Sequence, residues 1–324
     1  MSRASVGATV AIAALAVATV AGAAGDAGRL PGARGVRVCA AAGPYWPTMT
    51  LALNGRTAWI ACKEQSRVIR VNAANGRTLR SVRLRAPAIA VASGFGSIWA
   101  LDSSGTLYRL NASSAKVART IRLSLAAAYN IWIGGGSVWV ADDQGARVVR
   151  VSPRTGIVVA RIVVGDGPSD MAFSGAAGWV INHRDGELTR IDLGTNGSRR
   201  LATIDGDAPE RMVWLRGSLW ITGRGTDLLQ VSADTGAIQR TIEIGASGID
   251  VAADGDALWI PTRSAALDVR GFPTMDALKH VAASSGAVTT VARPTGRVDV
   301  HGLVAANGRV WITDNTNGIL YRVS

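Results

Sequence analysis

The chain has 324 residues, 38 of them Gly, and carries 35 Lys or Arg against 23 Asp or Glu, a formal charge of +12. No stretch beyond the N-terminus keeps an apolar period of 3.6 residues, which argues against helical folds. Only three of the basic residues are Lys, so the charge reads first as a solubility feature and second as a footprint for polyanions.

Residues 1–24 read as a signal peptide. Arg3 gives a small positive region, 6–20 is apolar and Ala-rich, and Ala21-Gly22-Ala23 fits a small-residue cleavage site. An uncleaved anchor is the alternative, because the apolar run lies near the lower limit of about 18 residues for a spanning helix. Residues 25–34 read as a flexible leader. Export would open an oxidising compartment, where Cys39 and Cys62 are able to pair in one way only; two buried thiols are the other reading.

From there on the chain repeats. Trp59, Trp99, Trp139, Trp179, Trp220, Trp259 and Trp311 are separated by 40, 40, 40, 41, 39 and 52 residues. Each follows a turn and opens an apolar strand, as in Gly-Ser-Val-Trp139-Val and Gly-Arg-Val-Trp311-Ile. A second strand of period two follows ten or eleven residues later, as in Ile69-Arg70-Val71-Asn72 and Val149-Arg150-Val151-Ser152. Turns such as Asn75-Gly76 and Thr155-Gly156 lead to a third strand, and short apolar strands at 89–92, 170–173 and 249–252 precede the tryptophans. Four strands per forty residues predict an all-β, seven-bladed β-propeller with four antiparallel strands per blade, covering 35–324. The tryptophans should fill the seams between blades, and the strand arginines read as architecture.

The chain stops after the third strand of the seventh unit, so an N-terminal strand at 35–39 should complete that blade and remove an open edge. Cys39 and Cys62 would then reach one face, where a disulfide would add ~3 kcal/mol. Blade six is the exception: about ten extra residues within 261–277 should project from the loop face, either as a functional loop or as a neutral insertion.

Propeller geometry puts the loops after the Trp strands and those entering the innermost strands on one face. That face should gather Tyr45, Trp46, Asp102, Asp142, Asp170, His183, Arg184, Arg211, Arg263, His301 and Asp314. Carboxylates with His and Arg suit a cation or an acidic ligand, and an imidazole among them suits a general base. His280 occupies the strand slot that holds Arg in other blades, so its reading is structural. Asp314-Asn315-Thr316-Asn317-Gly318 lacks the spaced acidic ligands of a calcium loop and reads as a capped hairpin turn.

Several segments resemble the secreted bacterial propellers grouped around virginiamycin B lyase and the YVTN-type repeat proteins. His301-Gly302-Leu303-Val304-Ala305, followed by Asn307-Gly308 and Trp311-Ile312-Thr313-Asp314, is similar to that family's His-Gly-Ile-Ala, Asp-Gly, Trp-Phe-Thr-Glu repeat. Gly167-Pro168-Ser169-Asp170-Met171-Ala172 resembles its Pro-x-Gly-Ile-Ala element. The resemblance implies a histidine base and glutamates holding magnesium, which open a cyclic antibiotic by elimination. Here the third residue after each Trp is Cys62, Asp102, Asp142, Asn182, Gly223, Thr262 or Asp314, with no Glu.

The expected function is therefore a secreted, monomeric module, extracellular or in the periplasm or cell envelope, binding a small molecule, a protein or an envelope partner through its loop face. One alternative is a carbon-oxygen lyase with His301 as base and Asp102, Asp142 or Asp314 in place of the glutamates; magnesium belongs to that reading alone. A second alternative is binding of anionic polymers. Nucleic acid is not expected, because no aromatic stacking platform is evident.

Overall fold

The computed structural model describes residues 28–40, 49–204, 208–267 and 273–324. The signal region, 25–27 of the leader, Tyr45, Trp46 and 268–272 of the blade-six insertion lie outside them. The described chain forms seven four-stranded antiparallel sheets, one per repeat, arranged as a β-propeller. Within each of the first six blades the strands run from the axis outward in chain order, blade seven takes its outermost strand from the N-terminal segment, and the Trp strand is second throughout.

Six of the seven repeat tryptophans are buried, at 0–7% exposure, and Trp259 is half-buried. Each packs into the seam with the following blade: Trp59 against blade-two residues such as Val91 and Ile98, Trp139 against Met171 and Val180 of blade four, Trp311 against Leu51 and Ile60 of blade one. The seams are tied by polar contacts as well. The Nε1 of Trp179 donates to the Ala233 carbonyl oxygen of blade five (2.7 Å), and that of Trp311 to Ala73 of blade one (3.0 Å).

The strand arginines serve the same seams. Arg70, Arg109 and Arg150 stand opposite a Trp in the ladder and lie over its ring at 5.7, 5.7 and 5.3 Å. Arg70 then donates to the Ser113 carbonyl oxygen of blade two (2.6 Å), and Arg150 to Leu193 and Asn196 of blade four (2.7 Å each). In blade six His280 fills this position, edge-on to Trp259 at 5.0 Å.

Ring closure follows the expected topology with a shifted register. The strand Ala33–Arg37 pairs antiparallel with Ile319–Val323 and forms the outermost strand of blade seven. It begins earlier than the expected 35–39, and the segment ahead of it is packed where a flexible leader was expected. Leu30 is 2% exposed, Arg29 bridges to Thr295, and the Tyr321 hydroxyl donates to the Gly28 carbonyl oxygen (2.6 Å). Cys39 lies just beyond the strand and forms a disulfide with Cys62 at the end of the blade-one Trp strand. The pairing joins the closing strand to the first blade.

The blade-six insertion lengthens a hairpin. Its strands run Ala257–Leu267 and Pro273–Ala282, with register shifts beyond Thr262. The innermost strand of this blade is short, Ala252–Asp254, and starts after the expected 249–252; Gly248 instead bridges to Thr262.

Candidate functional site

The innermost strands enter the channel through irregular pairing. The ladder skips a register between Ala88 and Ala90, Ala128 and Ile131, Pro168 and Asp170, Pro209 and Arg211, and Val300 and Gly302. Bulges of this kind release a side chain from the regular alternation and re-aim it. The released positions include Tyr129, Ser169, Glu210 and His301, each ten residues before its Trp. The next repeat position holds Asp170, Arg211 and Asp250. One end of the channel thereby gathers polar and charged side chains, of which Ser169 is buried and hydrogen-bonded to Ile181 and Glu210.

Gly302 shows how the backbone accommodates this. A Cβ there would meet the Met49 carbonyl oxygen and the Thr313 hydroxyl at 2.7 Å each, so only glycine lets blades seven and one approach closely beside His301. His301 keeps 29% of its side chain exposed. Its ring makes no hydrogen bond among the described residues, and the nearest carboxylate oxygen, on Asp299, is 4.0 Å from Nε2. Burial, reinforced by the positive charges of Arg211, Arg263 and Lys63 and only partly opposed by Glu210, pushes the imidazole down to about 4. It is neutral at pH 7.

Arg211 is half-buried, and its one protein hydrogen bond among the described residues runs from Nη1 to the Glu210 carbonyl oxygen (2.8 Å). Burial disfavours its charge, but Tyr129, Asp250, Asp170 and Glu210 outweigh that and hold it protonated. No carboxylate comes within ion-pair distance of this guanidinium among the described residues. Asp250 is pushed up to about 7 by burial and by Asp170, against the pull of Arg211. Tyr129 is 38% exposed beside them.

Two carboxylates of the mouth are already engaged. Asp170 accepts from Trp132 Nε1 of blade three (2.7 Å), its neighbour Met171 (2.8 Å) and Met212 of blade five (2.7 Å), so it latches three blades together. Burial nonetheless raises its carboxyl above the ordinary range. Glu210 is clamped by Arg263 from the blade-six hairpin and by Arg224 (3.1 Å). Burial works against its charge, but these arginines and Arg211 hold it below the ordinary range.

The structure thus brings together Asp170, Arg211, Arg263 and His301 from the expected set. It separates others. Asp102, Asp142 and Asp314 are fully buried inside their own hairpins rather than presented to the channel. Asp102 accepts from the Ser104 and Thr106 backbone and the Tyr108 hydroxyl, Asp142 from Ala127 and Arg147, and Asp314 from Asp299 and Asn317. Placed at the end of the second strand, each caps turn N–H groups that would otherwise be orphaned. His183 and Arg184 are engaged in the loops between blades three and four. The His183 Nδ1 donates to Gly167 (2.7 Å), and Arg184 joins Asp143 to Asp166 across blades three and four. Lys63, Tyr129, Glu210 and Asp250 were not in the expected set. For Tyr129, Glu210 and Asp250 the sequence carried a signal: ten or nine residues before the Trp, a titratable residue stands in each of blades three to seven and in neither blade one nor blade two.

The fold is shared with virginiamycin B lyase. The enzyme from Staphylococcus aureus matches with a TM-score of 0.72 over 90% of this chain and 98% of that one, at 15% identity. A catalytically inactive His-to-Ala variant of virginiamycin B lyase from the same organism, solved with quinupristin, matches with a TM-score of 0.70 over 90% and 99% at 14% identity. No family model matches the chain, and no curated protein matches its sequence. Identity this low carries the fold and leaves the chemistry to the residues.

The magnesium that the resemblance implies does not fit the residues present. The three aspartates standing where glutamates were expected are committed to turns, and among the described residues no three His, Cys, Asp or Glu side chains are grouped to hold a cation.

Proposed function

We propose that this propeller binds a small anionic molecule at the channel mouth, with Arg211 as its anchor. The observation that carries the reading is a permanently charged, half-buried guanidinium whose remaining N–H donors have no protein partner among the described residues. Such a group binds carboxylate or phosphate strongly. Tyr129 offers an exposed ring beside it, and Asp250 and His301 offer a second polar contact. The blade-six hairpin, held by Arg263 on Glu210, would form one wall.

A thermal-shift screen of small carboxylates, phosphates and sulfonates tests this. At least one should stabilise the protein, and Arg211→Gln should weaken its binding by roughly 10- to 100-fold, as expected for charge-assisted bonds worth about 1.5–3 kcal/mol. Equal binding by the variant would overturn the assignment.

A second reading rests on His301, a neutral, partly exposed imidazole with no hydrogen bond to its ring among the described residues, suited to act as a general base. The likeness to a lyase supports it, and the buried aspartates weigh against it. Opening of quinupristin by wild type and its loss in His301→Ala would establish it; full activity in that variant would remove it. We also propose secretion, supported by the apolar N-terminal segment and the disulfide. No helix among the described residues is long and apolar enough to cross a membrane.

A further inference from the structure

The excess of positive over negative charge is concentrated in one part of the ring. Between residues 28 and 124 there are fifteen Lys or Arg and two acids, whereas between 125 and 324 there are nineteen and twenty. Of the two acids, Asp102 is fully buried. The first stretch supplies blades one and two and the outermost strand of blade seven, which are consecutive around the ring.

On these three blades the outermost strands carry the same spacing: Arg34 and Arg37, Arg80 and Arg83, Arg119 and Arg122. All six side chains are exposed. The members of each pair stand about 10 Å apart along the strand and project to either side of the blade's outer edge. None of the six has an ion-pair partner among the described residues, while every Arg to Asp or Glu pair named in the structure falls beyond residue 140. The ladders also set like charges directly opposite each other, Arg34 to Arg322, Arg70 to Arg80, Arg67 to Arg83 and Arg109 to Arg119. Such pairs are destabilising in the free protein, and a bound polyanion would relieve them.

We propose that the outer rim of blades seven, one and two docks a linear phosphodiester polymer of the cell envelope, held through its phosphates. Guanidinium forks match phosphate oxygens in pairs. The three strands carry no aromatic residue to stack a base and only Val117 as an exposed large apolar side chain, so neither base readout nor lipid insertion is provided for. The disulfide points to a compartment outside the cytoplasm. This surface is independent of the channel mouth.

The test is binding of poly(glycerol phosphate) to the whole protein at 50 and 200 mM salt, beside duplex DNA and anionic phospholipid vesicles at matched phosphate concentration. Six contacts predict a log-log salt slope of about −4, a loss of a few hundred-fold over that range. The variant Arg80→Ser, Arg83→Ser, Arg119→Ser, Arg122→Ser should bring the slope to about −1.4, since two contacts remain. It should melt no lower than wild type, because it removes like-charge pairs. A control with Arg154, Arg199, Arg216 and Arg293 changed to Ser loses the same charge and should bind as wild type does. No polymer binding at 50 mM, a flat salt response or equal loss in the control would overturn the proposal. So would dependence of duplex DNA or vesicles, and not the polymer, on the four arginines.

Discussion

His301 and Asp250 enter neighbouring blades seven and six with opposite protonation habits, and stability should register both. The imidazole is lowered from 6.5 to about 4, so between those values the unfolded chain binds the proton and the folded chain does not. Its contribution therefore rises with pH over that window and is constant above it. Asp250, raised from 3.8 to about 7, binds its proton more tightly when folded, and its contribution falls as pH rises from about 4 to 7. Urea unfolding from pH 4 to 8 separates them. Wild type minus His301→Asn should give a stability difference that grows between pH 4 and 6.5, and wild type minus Asp250→Asn one that shrinks up to pH 7. A flat difference for His301 would mean that solvent, not the cluster, sets its proton affinity. His301 was legible in the sequence from its His-Gly context. Asp250 shows there only as a polar repeat position; its raised carboxyl comes from burial and from Asp170, some eighty residues earlier, against the pull of Arg211, and none of this is visible in its neighbours Gly248, Ile249 and Val251.

At the scale of the strand, the repeat explains most of what the sequence displays. A Trp on the second strand and an Arg opposite it on the third form one unit, and the register of blades one, two and three repeats it. Blades five and six depart from it, with Gln230 opposite Trp220 and His280 opposite Trp259 in place of a guanidinium. His280→Arg should restore the stacked cation and raise stability by about 0.5–1 kcal/mol, seen as a higher urea midpoint at unchanged slope. A lower midpoint would show that the long hairpin has already remodelled this seam. Strand identity and blade phase could be read from period two and from Trp spacing. The aspartates after the tryptophans could not be assigned in the same way: a polar residue at a strand end looks identical whether it faces the channel or turns back to cap its hairpin, and only the turn geometry of Asp102, Asp142 and Asp314 distinguishes the two.

Over the whole molecule, the Cys39 to Cys62 bridge is the one covalent link between the closing strand and the ring. With its ends 23 positions apart in sequence, replacing Cys62 by Ser should lower stability by about 3 kcal/mol on the chain-entropy account. Equilibrium unfolding of the variant against the oxidised wild type measures it, and an unchanged midpoint would mean that the strand pairing of blade seven is sufficient alone. The charge division was available in the sequence without any structure, as counts on either side of residue 124. That those counts form a single surface depends on the closing strand, which carries Arg34 and Arg37 round to meet blades one and two.

That closing strand also dictates when the molecule becomes itself. Ala33 pairs with Val323, so the earlier segment must wait for a much later one, with six complete blades between them. Contacts so remote in sequence are slow to form because the intervening chain must first be ordered. Until they form, the free edge of Ile319–Val323 is a template for any other strand, and one chain's early segment is able to close another chain's ring. A permuted chain with residues 28–40 moved behind Ser324 would convert this last step into an ordinary hairpin, fold without that wait, and lose the route to strand exchange between molecules.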